Sequence, residues 1–282
     1  MSEVMERVHV DPQQELIEHQ VMLERLYAKN QLIPRLMAEF RNCPDINFEE
    51  EFTNLGIPRL FGMDLLVQMA LHKRADVPTM VGLLYHHFND AQLTADMLLK
   101  AVDADVVDWD GRTKMFITRF ELTTEVQAEL DRFQYPLPMV VKPQTVEHNR
   151  SSGYLIANSS VILKNNHHDD DVCLDHLNRA NGIKLSINLE CVRMLHNKWK
   201  NLDKRKADET QEDFMRRKKA FLKYDRTAHD VMELLIEHGN EFYLTHRYDK
   251  RGRTYCSGYH VTYQGNPWNK AVIEFTDREL VT

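Results

Sequence analysis

The stretch Asp249-Lys250-Arg251-Gly252-Arg253-Thr254-Tyr255 sets the reading of this chain. Two arginines flank a glycine, and a glycine lets the backbone approach a ligand closely. Guanidinium forks match phosphate oxygens and ribose edges because their N–H groups are planar and paired. Asp249 is placed to orient one of the arginines, and Tyr255 to pack against a sugar or a base. The same seven residues also read as a charged hairpin turn on a solvated surface. Their spacing alone leaves both readings open.

Working outward, Phe242 to Thr245 and Thr254 to Thr262 are rich in aromatic and small residues, which predicts strands on either side of the basic turn. Upstream lie two long helical patterns. The first covers roughly 172–199, with apolar positions at Leu174, Leu177, Ile183, Ile187, Val192 and Leu195 and a weak point at Gly182. The second covers roughly 209–238, with Gly239 as its terminating residue. Together they predict an antiparallel helical hairpin whose tip is the polar stretch Asn201–Ala207. From Lys198 to Arg226 there are 11 Lys+Arg against 6 Asp+Glu, and Arg216, Arg217, Lys218 and Lys219 are contiguous. Such a cluster can neutralise several phosphates in a salt-dependent way, or it can be an ordinary solvated helix face.

The first half differs in character. Residues 1–135 hold 13 Lys+Arg against 23 Asp+Glu, whereas residues 136–282 hold 23 against 20, so the total of −7 conceals a basic C-terminal half where a polyanion would bind. Asp11-Pro12 opens a first helix, Pro34, Pro44 and Pro58 keep the following helices short, Pro78 opens another, and Asn89 or Asp90 caps the next. Lys114–Leu122 reads as a strand, and Thr123 or Thr124 caps a helix ending at Phe133. After Tyr135-Pro136-Leu137-Pro138, Met139–Val141 is extended, and Tyr154–Ile156 with Val161–Lys164 predicts a hairpin. The fold class is therefore mixed α+β and predominantly α-helical.

Other chemistry is excluded or weak. The four cysteines are scattered without a CxxC, which argues against a disulfide framework or a cysteine zinc site and for a reducing cytoplasm. No apolar run reaches the roughly 18 residues a membrane span needs. His167-His168-Asp169-Asp170-Asp171 resembles a metal cluster only superficially, since adjacent side chains seldom converge on one ion; its aspartates suit a helix N-terminus better. His86-His87 reads as packing or surface. No P-loop, dinucleotide fingerprint or Ser-His-Asp order is present.

Asp249-x-Arg251-Gly252-Arg253-x-Tyr255, followed by Gln264-Gly265-Asn266 and Lys270, resembles a signature of the phage and mitochondrial single-subunit RNA polymerases. The aromatic lead-in Phe242-Tyr243 fits, and the gap to Gln264 is one residue longer than is usual there. Pro138–Pro143, Gly153-Tyr154, Ile187-Asn188 and the basic stretch Arg216–Arg226 match weaker family elements in the same order. The resemblance covers about residues 136–280. Residues 1–135 are short for the family's promoter-reading domain, so it does not carry promoter recognition to this chain.

The resemblance implies four parts: a reduced helical N-terminal domain (1–135), an extended connector (136–171), a thumb-like helical hairpin (172–240) and the β-rich start of a polymerase palm (241–282). The family's two metal-binding aspartates, its fingers helix and its histidine-aspartate motif lie beyond the signature. Split, two-chain forms of the enzyme occur in phages, and this sequence resembles the small, N-terminal, non-catalytic subunit of one. Alone it would be inactive. Mg²⁺ would sit in a larger catalytic partner, with no metal bound here. Arg216, Arg217, Lys218, Lys219 and Lys223 would track backbone phosphates of template DNA and the RNA–DNA hybrid. Arg251 and Arg253 would contact the template, with Asp249 and Tyr255 in support, while Gly252, Gln264 and Asn266 shape the wall nearby. The setting implied is the cytoplasm of an infected bacterium, with room for a helper protein that melts promoter DNA. The alternative is a stand-alone nucleic-acid-binding accessory protein.

Overall fold

The computed structural model describes residues 11–27, 29–157, 160–163 and 170–277. In chain order its elements are α1 (Pro12–Tyr27), α2 (Lys29–Arg41), α3 (Phe48–Asn54), α4 (Arg59–His72), β1 (Arg74–Asp76), α5 (Val77–Leu84), α6 (Ala91–Asp103), β2 (Val107–Asp110), β3 (Met115–Thr118) and α7 (Thr124–Phe133). There follow α8 (Leu174–Asn181), β4 (Leu185–Ile187), α9 (Leu189–Met194), α10 (Gln211–Glu237), β5 (His246–Tyr248), β6 (Thr254–Cys256), α11 (Pro267–Ala271) and β7 (Ile273–Phe275). The fold is mixed and mainly helical. Among the described residues no helix is long and apolar enough to cross a membrane.

The chain forms two compact units. One comprises residues 29–130 and the other residues 1–28 with 131–282, so the first helix belongs to the same unit as the C-terminal half. In the smaller unit α4 is buried on nearly every face, from Phe61 to Ala70, as befits a helix apolar all round. A three-stranded antiparallel sheet of order β1-β3-β2 accompanies it. Local signals act as read: Asp90 caps α6 through the Leu93 N–H, at 3.0 Å, and Pro78 lies in the first turn of α5. The strand around residues 114–122 contracts to Met115–Thr118.

The larger unit departs from expectation at its first helical arm. A continuous helix over 172–199 does not form. α8 stops at Gly182, whose N–H returns to Asn178 O at 3.1 Å, and β4 follows. The cause is tertiary. Leu185 exchanges backbone hydrogen bonds with Phe242 at 2.8 and 2.9 Å, and β4 pairs antiparallel with β7, Leu185 opposite Phe275. The Asn240 side chain clamps both the N–H and the C=O of Ile187 at 2.9 and 3.0 Å. Asn188 then caps the short α9. The apolar spacing that suggested a helix is thus used to bury a strand on both sides. The second arm, α10, is a single helix of 27 residues capped by Thr210 and ended at Gly239.

The strands flanking the basic turn are shorter than expected. Phe242 and Tyr243 make single backbone bridges, to Leu185 and Met139, and the regular hairpin is β5–β6. The hairpin expected over 154–164 is absent among its described residues. Instead Glu24 on α1, fully buried, accepts the N–H groups of Leu155, Ile156 and Ala157 at 2.8, 2.7 and 3.1 Å. Ile162 bridges to Tyr248. Val146, Val161 and Leu177 pack round the buried Tyr248, so the connector backs the β5–β6 hairpin.

Candidate nucleic-acid interface

The turn joining β5 to β6 is built round one carboxylate. Asp249 Oδ1 accepts the backbone N–H groups of Arg251 (2.9 Å) and Arg253 (3.2 Å). Asp249 Oδ2 accepts from Arg253 Nε (2.8 Å) and Nη2 (2.6 Å), from Arg251 Nη2 (3.3 Å) and from the Tyr255 hydroxyl (3.3 Å). Gly252 sits at φ +77°, a conformation glycine adopts without steric cost, and its N–H closes the turn on Asp249 O at 2.8 Å. Burial pushes the Asp249 carboxyl up. The hydrogen bonds and charge of Arg253 outweigh it, holding the group below its ordinary value. Arg253 in turn is held above its own by Asp249.

The two guanidinium groups are oriented yet open. The side chains of Arg251 and Arg253 remain 65% and 54% exposed, and that of Asp249 only 6%. Tyr255 lies beneath Arg253, its ring centroid 5.6 Å from the guanidinium carbon. The arrangement presents aspartate-anchored guanidinium groups to solvent from the turn between β5 and β6. The acid at its centre is saturated with donors, so it does not offer an open ligand position to a cation.

Gln264 and Asn266 have structural partners. Gln264 accepts from Cys256 N at 2.7 Å and donates to Thr254 O at 3.1 Å, so its amide pairs with the edge of β6 as another strand would. Asn266 caps α11 and donates to Asn197 at 2.8 Å. Gly265 between them is obligatory for space: a Cβ there would lie 2.7 Å from Asn269 Oδ1. Asn269, fully buried, accepts the Tyr224 hydroxyl at 3.1 Å and donates to His260 O at 3.0 Å, which ties this segment to α10. Trp199, Tyr224, Tyr259, Gln264 and Asn266 line an open cleft of ≈ 320 Å³ beside it.

The basic residues of α10 divide into two sets. Arg216, Lys218 and Lys219 are exposed; Arg216 meets Asp213 at 3.2 Å, and Lys218 lies over the Phe214 ring at 4.6 Å. Arg217 instead makes a two-pronged ion pair with Glu209 and donates to Asn201 O at 2.9 Å, which fastens the 195–210 connector onto the helix. That pairing draws the Glu209 carboxyl down to about 2. Lys223 reaches the buried Asp131 at 2.5 Å, and Arg226 approaches the same acid at 3.6 Å. Arg217 and Lys223 thus have intramolecular anions as partners.

Behind β5, His246 is held between Asn181 Oδ1 (2.9 Å) and the Tyr263 hydroxyl (2.6 Å), and burial drives it down to about 4. His246 and Tyr263 also wall an apolar recess of ≈ 690 Å³ with Ile183, Leu185, Ile273 and Phe275. Phe275 is 65% exposed, and among the described residues β7 pairs with β4 alone.

Of the His167–Asp171 run, His167, His168 and Asp169 lie outside the described residues. Asp171 does not serve the N-terminus of α8: its carboxylate accepts Asn149 N at 2.7 Å, and that helix begins after Cys173 without a side-chain cap. Asn149 also accepts the buried Tyr248 hydroxyl. Sequence reading missed Glu24, Asn149, Asn240 and Asn269, all polar groups that bind backbone or side chains far away in the chain. It also missed that His86 and His87 meet Asp64.

No protein-family model and no curated protein matches this chain.

Proposed function

We propose that this chain is the non-catalytic, nucleic-acid-holding subunit of a two-chain DNA-directed RNA polymerase of the single-subunit type. The observation that carries the reading is the Asp249-centred turn, which keeps two half-exposed arginines oriented on a rigid hairpin. Fixed guanidinium groups hold phosphates by charge and shape, while base pairing supplies sequence information. The resemblance of the Asp249–Tyr255 and Gln264–Asn266 elements to the polymerase signature supplies the rest. Arg216, Lys218 and Lys219 extend the positive surface along α10.

The carboxylates that hold Mg²⁺ for nucleotidyl transfer would come from the larger partner, because Asp249 has both oxygens engaged by arginine and tyrosine donors. The exposed Phe275 and the outer side of β7 offer that partner an apolar face and a strand edge to complete. The same reading sets the chain in the cytoplasm of an infected bacterium.

The test has two arms. Co-expression with the larger partner should give a stable complex that synthesises RNA, and Arg253→Ala should slow elongation without loosening the complex. For the chain alone, affinity for an RNA–DNA hybrid should fall with salt, and Arg253→Ala should lower the slope of log K against log salt by about one. Unchanged elongation together with an unchanged slope removes the arginine from the interface. One observation favours a second reading: the cleft lined by Trp199 and Tyr259 suits stacking of unpaired bases. A monomer that binds single strands tightly and never acquires a partner would be a stand-alone accessory protein.

A further inference from the structure

One side-chain cluster in the smaller unit carries chemistry that neither the fold nor the polymerase reading uses. Asp64 stands on the central helix α4 with its carboxylate nearly buried, while His86 and His87 occupy a 3₁₀ turn, Tyr85–His87, that follows α5. Asp64 Oδ2 lies 3.1 Å from His87 Nε2 and 3.5 Å from His86 Nε2. One ligand atom from each of the three residues falls within 4.8 Å of the others.

Three features suit this cluster to a metal ion. The first is spacing. Two ligands of one tetrahedral ion, each at about 2.0–2.1 Å, stand roughly 3.3 Å apart, and both Asp–His distances bracket that value. The second is the proton inventory. His86 Nδ1 is 3.2 Å from the Leu83 carbonyl, which can only accept, so the proton of the neutral ring belongs on Nδ1. In that tautomer Nε2, the atom facing the carboxylate, carries the lone pair with which an imidazole binds a metal ion. The third is outer support. Gln68 donates to the remaining Asp64 oxygen at 3.1 Å, and the Leu83 carbonyl fixes the His86 ring, as the partners of metal ligands do.

Adjacent histidines seldom point the same way along a regular strand or helix. Here the tight turn lays the two rings side by side, centroids 4.1 Å apart and 37° between planes, so both Nε2 atoms face Asp64. The Phe61 ring walls the inner side against His87. The His86 side chain is 65% exposed, which leaves a solvent route and an open ligand position.

We propose that Asp64, His86 and His87 form a binding site for a divalent transition-metal ion, with Zn²⁺ the best match. Two imidazole nitrogens and one carboxylate oxygen suit Zn²⁺, whereas Mg²⁺ and Ca²⁺ take oxygen ligands. Three protein ligands with a fourth position held by water would pin the 3₁₀ turn to α4.

The full chain, stripped with a chelator and dialysed, is titrated with Zn²⁺ alone and the bound metal quantified. One tight equivalent is expected, undisturbed by millimolar-scale Mg²⁺, and Co²⁺ loading should give visible d–d bands of a low-coordinate site. H86Q changes an exposed side chain and should fold as the parent does by circular dichroism, yet weaken the equivalent at least about tenfold. H87Q should do the same, and H229Q, on α10 of the larger unit, should leave it intact. A parent chain that takes up no equivalent, or H86Q and H87Q variants that bind as the parent does, overturns the site. None of these readouts involves nucleic acid, so their outcome is separate from that of the polymerase reading.

Discussion

Glu24→Ala is the sharpest probe of how the larger unit is held together. The Glu24 side chain is fully buried, and its two oxygens accept three successive backbone N–H groups, of Leu155, Ile156 and Ala157, together with Gln20 Nε2 at 3.0 Å. Hydrogen bonds to a charged acceptor contribute about 1.5–3 kcal/mol each. Alanine removes all of them and leaves the donors without a replacement. Ile156 is exposed, so water can recover part of the loss on that side. Relief of the buried charge offsets a further part. The net expectation is a loss of about 3 kcal/mol, a large share of the roughly 5–15 kcal/mol that stabilises a typical domain. Glu24→Gln keeps the shape and one acceptor oxygen but turns an NH₂ toward backbone donors, so it should cost about half as much. Urea unfolding followed by far-UV circular dichroism measures both, through the midpoint at constant slope. A loss below about 1 kcal/mol for alanine, or equal losses for the two variants, would refute the view that this carboxylate organises the connector.

Acid should destabilise the larger unit through His246 and His260. Burial lowers both to about 4 from an ordinary 6.5, so the unfolded chain binds more protons between those values. Their contribution is complete above pH 6.5 and is lost as pH falls toward 4, amounting to several kcal/mol for the pair at about 1.4 kcal/mol per pKa unit; chemical denaturation at pH 7 and pH 5 checks the sign, and His246→Gln should flatten the dependence. Gly265→Ala forces a Cβ to within 2.7 Å of the buried Asn269 and should cost about 1–3 kcal/mol by thermal or urea unfolding. Asp249→Asn keeps a side-chain oxygen to accept the backbone N–H groups of Arg251 and Arg253 but removes the charge that fixes the Arg253 guanidinium, so hybrid affinity should fall while far-UV circular dichroism does not change. An Asp249→Asn chain that binds the hybrid with parent affinity and salt slope would show that the arginines need no orientation.

The parts that were legible in the sequence are those fixed within a few residues. Asp90 caps α6 through the Leu93 N–H three residues on, Pro78 stands in the first turn of α5, Gly239 follows the end of α10, and α10 runs nearly as its apolar spacing predicts. The failure of a helix over 172–199 has a long-range cause: Leu185 finds Phe242 and Phe275 on its two sides, and neither partner leaves a trace in the local pattern. Glu24 is another case, since its backbone donors are more than a hundred residues away. The basic helix shows the opposite difficulty. Its charge was plain, but composition could not separate Arg217, which clamps Glu209, from Arg216, which remains outside. In the basic turn, Asp249 orienting an arginine was legible because both lie within five residues.

Gln264 and Asn266 bear on the proposed interface only indirectly. Every side-chain amide there is turned inward, to the edge of β6, to Asn197 and to the first turn of α11. Gln264 braces β6 beside the arginines and Asn266 braces α11, so removing Gln264 should loosen the hairpin before it alters any contact the arginines make. Arg253 has the reverse profile: held at one end by Asp249, open at the other, and backed by an aromatic ring. Arg253→Lys therefore separates charge from geometry. Lysine retains the positive charge but not the planar fork, so the salt dependence of hybrid binding should persist while affinity falls. Gln264→Ala should lower affinity only in step with a loss of stability. If Arg253→Lys bound as tightly as the parent, charge alone would suffice, and the fixed geometry built round Asp249 would have no role in gripping the strand.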